Sequence, residues 1–514
     1  MARRLVLLGI SILVTLTLAA QNRESLTVIL PEQQHRESLT VEIVDVPVYV
    51  TRGFEPVDGL TRDDFELYVN GERQPIEYFD ILGATAEAGT LRDRRLFLLL
   101  FDVAFTHPHS VPRAQAAASK LIANAEPGDY FAVATYSTRR GVWFAVPFTR
   151  DREALGRAIA NLNAPRSGDP LAIVMTASER ASFDNWEMDT HSSGDPSNAA
   201  SRIAGDTMRD LAFARTLRAA EDQAEDLEAL SVRMAALEGE KHVVVMSEGY
   251  DGQSPNRSDA RSAGSIRRWN DSDLPGLRSI YSARVIDHTL AASILTMHRA
   301  FQRSNVVLHA LDLQGVSNSL VSNDSLAFLA SGTGGQFLHS TNDFGGALTR
   351  LASKLSRGYR LGFHPGKSVR RGYNSLEVKV RKAGRGVRVN HREGFDARPE
   401  RANTEDGVYL ADVVLNDVPQ SGTSAKLALR GDKLFATIPM GEVAAQLPDG
   451  GGAELLVYGF AANGQALVYH RATIAVSAGA TGEKTLEIAM PEGTQVAKAL
   501  LRIDGGLGFS KVVK

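Results

Sequence analysis

The sequence predicts an α/β protein in which a doubly wound, mainly parallel sheet is flanked by β domains. An apolar run, Leu96–Phe101, follows the charged residues 92–95 and leads directly into Asp102. Such a run is typical of a strand that is buried on both faces. Strand-like and helix-like segments then alternate over residues 92–365, which favours parallel pairing with helical crossovers. Because open α/β sheets bind ligands at the carboxyl ends of their strands, Asp102 marks a candidate site.

Composition limits the classes of protein that fit. The chain has 514 residues, which is enough for about three domains. Its formal net charge of −3 predicts no strong attraction to nucleic acid or to anionic membranes. The chain contains no cysteine, which excludes disulfides and thiolate metal sites. If the chain is exported, the absence of cysteine fits a bacterial origin better than a eukaryotic one.

Residues 1–20 are predicted to be a signal peptide. Arg3 and Arg4 precede an uncharged stretch that ends in Ala19 and Ala20. At about 16 residues the stretch is short for a membrane span, although an N-terminal anchor stays open as an alternative. We therefore expect an extracytoplasmic protein, periplasmic or secreted, with no transmembrane span once the signal is cleaved.

Residues 39–83 are predicted to form a small N-terminal β domain. β-branched residues recur from Val41 to Val50, and Asn70-Gly71 is typical of a hairpin turn. Pro47 lies inside the first run and indicates an edge strand or a bulge.

Residues 92–365 are predicted to form the α/β domain, interrupted by a polar insertion at 164–205. A long helix after the insertion is expected to cover the sheet. The predicted strands are Leu96–Phe101, Tyr130–Ser137, Val142–Val146, His242–Met246, Val306–Leu311 and Tyr359–Phe363, and the other predicted helices are Ala114–Ala123, Asp151–Leu162, Arg284–Arg303, Ser325–Ala330 and Gly345–Ser356.

Two further β segments follow. In the basic β extension, residues 366–400, Glu377 and Lys379 alternate with valines, so the charges share one face of a strand. A polyanion site and a solvated sheet face both fit; without interleaved aromatic residues we expect the solvated face and no nucleic-acid partner. Residues 403–514 are predicted to form a β-sandwich-like domain whose first strand is Val408–Leu415.

Several motifs in order resemble the von Willebrand factor A-related domain family of acidobacterial type. They are Val46–Thr51 with Pro56–Phe65, Leu98–Asp102, Glu240–Gly249, Thr333–Gly335, Tyr359–Phe363 and Arg392–Phe395. Together they span about residues 40–396, and the tail after 403 is not covered. The resemblance implies a Rossmann-like, von Willebrand A-type sheet that binds partners through a metal-ion-dependent adhesion site.

The resemblance also implies a ligand set, which this sequence matches in part. The family has Asp-x-Ser-x-Ser after the first strand, a Thr from another loop and an Asp after the fourth strand. Asp102 fits, Ala104 offers no oxygen, Thr106 can replace the second serine, and Glu248 stands where Asp is expected. Asp251 could compensate for a lost ligand. Such hard oxygen ligands would suit Mg²⁺ or another divalent cation.

A functional metal site and a degenerate crevice, in which Asp102 bonds to the backbone, both stay open. No Thr matches the family's additional ligand, and Ser167 is the nearest hydroxyl after the second helix. His107 and His109 form a His-x-His pair that could hold Zn²⁺, but the sequence offers no evident third ligand.

No hydrolase motif or Walker loop occurs, so we expect that the chain is not an enzyme. The glycine-rich run 332–335 lacks the lysine of a Walker loop and is predicted to be a turn. The alternative is a metal-assisted extracytoplasmic hydrolase that uses Asp102, Glu248 and the two histidines.

The expected function is protein–protein interaction or adhesion by an exported bacterial binding module. The resemblance places the contacts on the loop face formed by Asp102–Pro112, the insertion and Glu248–Gly276. The partner would be an unidentified protein in the envelope or outside the cell. A third hypothesis is a structural scaffold whose β domains carry the contacts.

Overall fold

The computed structural model describes residues 43–514, apart from 54, 84–90, 163–198, 251–287, 317–323, 367–368, 371, 382–383, 385, 397–405 and 505. The predicted signal peptide, most of the insertion, Ser167 and Asp251 lie outside these residues. The described residues belong to one compact unit, Ile43–Lys514. Among them, no helix is both long and apolar enough to cross a membrane.

The elements alternate between strands and helices only in the middle of the chain. In chain order they are β1 (Val44–Arg52), β2 (Glu55–Pro56), β3 (Phe65–Val69), β4 (Glu72–Gln74), β5 (Tyr78–Leu82), β6 (Arg95–Asp102), α1 (Val111–Ala123), β7 (Tyr130–Ser137), β8 (Gly141–Thr149), α2 (Arg152–Ala160), α3 (Ala199–Met234), β9 (Glu240–Ser247), α4 (His288–Arg303), β10 (Val306–Asp312), α5 (Asp324–Ser331), β11 (Phe337–Leu338), α6 (Phe344–Lys354), β12 (Gly358–Phe363), β13 (Tyr373–Val380), β14 (Val387–His391), β15 (Gly394–Asp396), α7 (Gly407–Asn416), β16 (Lys426–Arg430), β17 (Lys433–Pro439), α8 (Met440–Gln446), β18 (Gly451–Phe460), β19 (Ala466–Val476), β20 (Glu483–Ala489), β21 (Val496–Ile503) and β22 (Gly506–Val513).

The α/β domain is built on a six-stranded sheet in the order β11-β10-β9-β6-β7-β8. All neighbouring pairs are parallel except β7 and β8, which form the expected antiparallel hairpin. Strand β6 lies in the middle, between β7 and β9, and every one of its residues is buried. The prediction that Leu96–Phe101 is a strand buried on both faces is confirmed.

Helices cover both faces of this sheet. Side chains of a strand point alternately to its two faces. Leu96, Leu98 and Leu100 accordingly pack into one core with α3, α4 and α5. The side chains of Phe97, Leu99 and Phe101 pack into a second core with α1, α2 and α6. The result is a three-layer αβα domain whose central strand contributes to two separate hydrophobic cores.

The first β lobe is built from two segments of the chain, one before and one after the α/β domain in sequence. Its two sheets have the orders β14-β1-β12-β5, with β2 paired to β1, and β15-β13-β3-β4. They enclose one core that includes Val48, Leu67 and Leu361. The predicted segment 39–83 therefore supplies only part of this lobe, and residues 358–396 supply the rest. Strand β1 pairs with β12 up to Val48 and with β14 from Val48 onward, so Pro47 has a strand neighbour on one side only.

The strand Tyr359–Phe363 differs from its prediction as the last strand of the central sheet. As β12, it pairs antiparallel with β1 and β5 in the first lobe. A fully buried strand has the same apolar pattern in either sheet, so its sequence could not identify its partners.

The C-terminal lobe has a three-stranded sheet, β16-β17-β20, and a four-stranded sheet, β19-β18-β21-β22. Residues of both sheets share one core with α8. The predicted strand Val408–Leu415 is wrong, because these residues form helix α7. The side chain of Asp406 caps that helix by accepting a hydrogen bond from Val408 N–H at 2.7 Å.

Helix α7 is tied to the start of the central strand by a buried ion pair. The two terminal nitrogens of Arg94 donate to the carboxylate of Asp412 at 3.0 and 2.5 Å. Both side chains are almost fully buried, and Asn416 donates a further hydrogen bond to Asp412. Removing one partner of such a pair leaves an uncompensated buried charge.

We expect Asp412→Ala to lower the free energy of unfolding by about 3–5 kcal/mol, because Arg94 would stay buried without its partner. Urea denaturation followed by circular dichroism measures this. As a control, Glu153→Ala breaks the exposed pair with Arg157 and should cost less than about 0.5 kcal/mol. Equal losses in the two variants would contradict the role of Asp412.

The glycine-rich run 332–335 forms a turn, as predicted, and its glycines allow close packing. A side-chain carbon at Gly332 would clash with the ring of His298, and one at Gly335 would clash with the carbonyl of Leu308. His298 is buried against the edge of Phe328, and its Nε2 lies 3.1 Å from the carbonyl of Leu329. Burial lowers the pKa of His298 to about 4.

The lowered pKa of His298 predicts acid sensitivity. The unfolded chain takes up a proton near the ordinary histidine pKa of about 6.5, whereas the folded chain resists it. Stability is therefore full above that value and falls as the pH drops toward 4. Between about pH 7 and pH 5, we expect the free energy of unfolding of His298→Gln to decrease by about 2 kcal/mol less than that of the wild type. Denaturation at several pH values measures it.

The exposed His339 provides the matched control, and His339→Gln should leave the pH dependence unchanged. Part of the decrease in unfolding free energy at low pH will remain in both His298→Gln and His339→Gln, because burial and the neighbouring His242 also lower the pKa of His309. An identical pH dependence in His298→Gln and the wild type would exclude the buried, neutral state of His298.

Candidate functional site

The candidate site lies where the strand order of the central sheet reverses. From β6 the chain continues to β7 on one side, and later passes to β9 on the other side. Asp102 ends β6 and Ser247 ends the adjacent strand β9, so both side chains lie at the carboxyl edge of the sheet. This topological switch point is where open α/β sheets bind ligands.

The carboxylate of Asp102 is surrounded by protein donors. Only 2% of Asp102 is exposed. Its Oδ1 accepts hydrogen bonds from the backbone N–H groups of Ala104 at 3.0 Å and Phe105 at 3.1 Å. Its Oδ2 accepts from Ser247 Oγ at 2.6 Å and from Gln223 Nε2 at 3.0 Å. A carboxylate offers about four lone-pair positions, so these donors use its capacity.

Burial raises the pKa of Asp102, and its hydrogen bonds, first of all that from Ser247, act in the opposite direction. Tyr136 and Tyr250 lie nearby in the same core. Burial and then the charge of Asp102 raise the pKa of both phenols, so they stay protonated at neutral pH. Their hydroxyl groups have no hydrogen-bond partner among the described residues. Asp102 is therefore shielded from water and bonded only to neutral donors among the described residues.

Glu248 follows Ser247 and is also buried. Its Oε1 accepts a hydrogen bond from Ser110 Oγ at 2.6 Å, and its Oε2 lies 2.5 Å from His107 Nδ1. The backbone N–H of Glu248 donates to Thr106 Oγ1 at 3.4 Å. The loop that follows β6 is thus fastened to the loop that follows β9 through the side chain and the backbone of Glu248.

The structure brings three of the four predicted metal ligands, Asp102, Thr106 and Glu248, to one crevice, and Asp251 lies outside the described residues. Both carboxylates are bonded to protein donors, and Ala104 supplies no oxygen. Within the described ranges, no group of three acidic or histidine side chains is placed to hold a metal. The rings of His107 and His109 lie 5.2 Å apart at the rim.

Sequence analysis missed two residues of this site, Gln223 and Ser247. Gln223 lies on the apolar face of α3 between the buried residues Ala220 and Leu227. A polar residue at helical spacing inside an apolar stripe was the available signal. The signal for Ser247 was weaker: it is a polar residue at the end of a buried strand.

No protein-family model matches this chain, and no curated protein matches it. Among solved structures, a von Willebrand factor type A protein from Catenulispora acidiphila is 12% identical, with 88% of this chain and 72% of that chain covered and a TM-score of 0.26. The vWF domain of the pilus tip protein Mfa5 from Porphyromonas gingivalis is 14% identical, with 51% and 95% covered and a TM-score of 0.26.

A further similar structure is proximal thread matrix protein 1 from mussel byssus, with a zinc-occupied MIDAS motif. It is 12% identical, with 56% of this chain and 50% of that chain covered and a TM-score of 0.25. Values this low transfer no ligand, partner or activity to this chain.

We expect Asp102→Ala to lower the free energy of unfolding by about 3 kcal/mol, because four buried donors would lose their acceptor. Asp102→Asn keeps the shape and one acceptor and should cost about 1–2 kcal/mol. Urea denaturation measures both losses. The exposed Asp449 gives the control, and Asp449→Asn should change stability by less than about 0.5 kcal/mol. An unchanged unfolding free energy in Asp102→Ala would mean that this network does not form.

Proposed function

We propose that this chain is an exported bacterial protein-binding module of the von Willebrand A type, acting in protein–protein interaction or adhesion. The observation that carries the proposal is the closed crevice at the switch point. At the place where such a sheet would hold a ligand ion, Ser247 donates a hydrogen bond to Asp102 and Ser110 donates one to Glu248. The acidobacterial-type motifs in the sequence support the family assignment, and the predicted signal peptide supports an extracytoplasmic location.

Binding is favoured over catalysis by the arrangement around Glu248. Ser110 and His107 both bond to Glu248, which lies between them, so they do not form a Ser–His pair. Only 1% of Ser110 is exposed, which keeps its hydroxyl away from a substrate. A catalytic nucleophile must reach both its base and the substrate. These contacts disfavour the alternative of a metal-assisted hydrolase that uses Asp102, Glu248 and the histidines.

We propose that partner binding does not depend on a metal ion, so that the adhesion site is a degenerate one. A cation would have to displace Ser247 or Gln223 from Asp102, or Ser110 from Glu248. Each of these hydrogen bonds is buried, and an unpaired donor left behind costs free energy. The hydrogen bonds that close the crevice therefore compete with the ion.

The rim around the closed crevice offers exposed side chains for a partner. Pro108 and His109 are exposed just above Glu248 on the β6–α1 loop. Val316 follows the end of β10 at the same edge of the sheet and is 61% exposed. We propose that Pro108, His109 and Val316 are the side chains that contact a partner.

The second candidate function is a scaffold whose β lobes carry the contacts. In the C-terminal lobe, Tyr469 is 52% exposed and its ring lies 5.1 Å from that of Tyr458. Exposed tyrosines of this kind are common in protein interfaces. A variant of Tyr469 therefore separates this function from binding by the rim.

We expect the double variant His109→Glu with Val316→Asp to reduce partner capture from an envelope extract by about tenfold, because both changes place charge on the rim. Capture is measured with the immobilised full chain by quantitative mass spectrometry. Capture by the wild type should be the same with excess EDTA as with added Mg²⁺.

Tyr469→Asp is the matched control and should leave capture unchanged. If Tyr469→Asp abolishes capture and the rim variant does not, the scaffold is the better account. Capture that requires Mg²⁺ and disappears in Asp102→Asn would contradict the metal-independent mechanism.

A further inference from the structure

A second cleft lies at the opposite edge of the central sheet, where β9 and β10 begin. It is formed between these strands, the end of α4 and strands β1 and β14 of the first lobe. The cleft encloses about 660 Å³ of empty space, including open solvent at its mouth. Its walls combine apolar groups, such as Phe301 and Leu355, with buried polar groups, among them His242, Gln302 and Arg392.

The hydrogen bonds in the cleft fix His242 as a donor. The backbone N–H of Gln336 donates to His309 Nδ1 at 3.0 Å, so the proton of the neutral His309 ring is on Nε2. Burial lowers the pKa of His309, which keeps this ring neutral. His309 Nε2 lies 3.2 Å from His242 Nδ1, which must therefore accept. The proton of a neutral His242 ring is consequently on Nε2.

This donor has no hydrogen-bond partner among the described residues. The nearest acid, Glu240, lies 3.9 Å from His242 Nε2, which is too far for a hydrogen bond. Glu240 is already bonded to the hydroxyl of Tyr49 at 2.6 Å, and Arg360 lies 3.9 Å from its other oxygen. Arg360, which also pairs with Asp93 at 3.3 Å, partly offsets the negative charge of Glu240.

Arg392 supplies a fixed positive charge to the same cleft. Its terminal nitrogens donate to the carbonyl of Asp45 at 2.6 Å and to Asn305 Oδ1 at 3.3 Å. Its Nε is buried and has no partner within the described part of the chain. Burial lowers the pKa of Arg392 to about 10, so the guanidinium stays charged at neutral pH. Both hydrogen bonds of the guanidinium go to neutral oxygens, and the charge of Asp45 acts against the effect of burial on its pKa.

Gln302 adds one acceptor. Its Nε2 donates to the carbonyl of Gly332 at 2.8 Å, which fixes the orientation of the amide. Its Oε1 is buried and receives no hydrogen bond from any described residue. The cleft thus contains two unpaired donors, one of them cationic, and one unpaired acceptor. All three atoms are shielded from bulk water. Charge-assisted hydrogen bonds are stronger in such a shielded environment than in water.

We propose that this cleft binds a small organic carboxylate that carries a hydroxyl group. The carboxylate would accept hydrogen bonds from Arg392 Nε and His242 Nε2, and the hydroxyl would donate to Gln302 Oε1. The apolar wall at Phe301 and Leu355 takes the carbon skeleton. This inference does not rest on the proposed partner binding, which involves the other edge of the sheet.

The test is calorimetric titration of the full chain with sodium L-lactate, acetate and inorganic phosphate at constant ionic strength. We expect saturable binding of lactate that is about tenfold tighter than that of acetate, because acetate leaves Gln302 unpaired. Phosphate should bind more weakly than lactate. Absence of saturable lactate binding, or phosphate binding at least as tight, would overturn the proposal.

Variants connect the binding to named residues. Arg392→Gln should weaken lactate binding by about tenfold or more, with Arg392→Lys between it and the wild type. Arg388→Gln removes the same charge from an exposed position on β14 and should have no effect. Gln302→Leu should reduce the affinity for lactate to that for acetate.

Equal lactate affinities in Arg392→Gln and Arg388→Gln would overturn the assignment of the carboxylate. Circular dichroism establishes that each variant is folded. If Arg392→Gln does not fold, two results still test the proposal. They are the order of the wild-type affinities for lactate, acetate and phosphate, and the lactate affinity of Gln302→Leu.

Discussion

Burial of β6 on both faces determines the arrangement of the α/β domain. Its alternate side chains fill two separate hydrophobic cores, so helices must cover the sheet on both sides. The charged residues at the ends of the strand are buried with it, and each requires a partner. At the start, Arg95 bonds to Asp129 with two hydrogen bonds of 2.8 and 2.9 Å, and Arg94 pairs with Asp412. At the other end, Asp102 takes hydrogen bonds from α3, β9 and its own loop. The strand thereby fixes the positions of elements that are far apart in the chain.

The two edges of the sheet differ in how far their polar groups are satisfied. At the carboxyl edge, Asp102 and Glu248 are bonded to protein donors, and we propose the rim as the surface that contacts a partner. At the amino edge, buried polar atoms of His242, Gln302 and Arg392 have no partner among the described residues. A fold of this kind hosts unrelated functions, and the chemistry of each site has to be argued from its own side chains. On that basis we propose a protein-binding surface at one edge and a small-anion site at the other.

The sequence predicted those elements whose signals are local. The apolar run before Asp102 and the turn before β7 led to the correct strands, and the position of Asp102 at the end of its strand placed it at the carboxyl edge of the sheet. The valine-rich segment that forms α7 has a high β propensity, but capping by Asp406 and the ion pair with Arg94 favour a helix. Strand β12 was placed in the wrong sheet because its partner β1 is distant in sequence. Gln223 and Ser247 were missed for the same reason: their role depends on which elements the fold places side by side.

The split construction of the first β lobe governs the order in which the chain can fold. The hydrogen-bonded residues Val57 and Tyr359 are separated by 302 positions. During synthesis, strands β1 to β5 therefore emerge long before β12 to β15. The apolar faces of β1 to β5 stay uncovered until the later strands are made. The α/β domain, whose neighbouring strands are closer in sequence, can form in the meantime and bring the two halves together. Such long-range pairing slows folding and leaves strand edges open to aggregation. A chain that stops before β15 would lack the outer strand of the second sheet and would carry that hazard permanently.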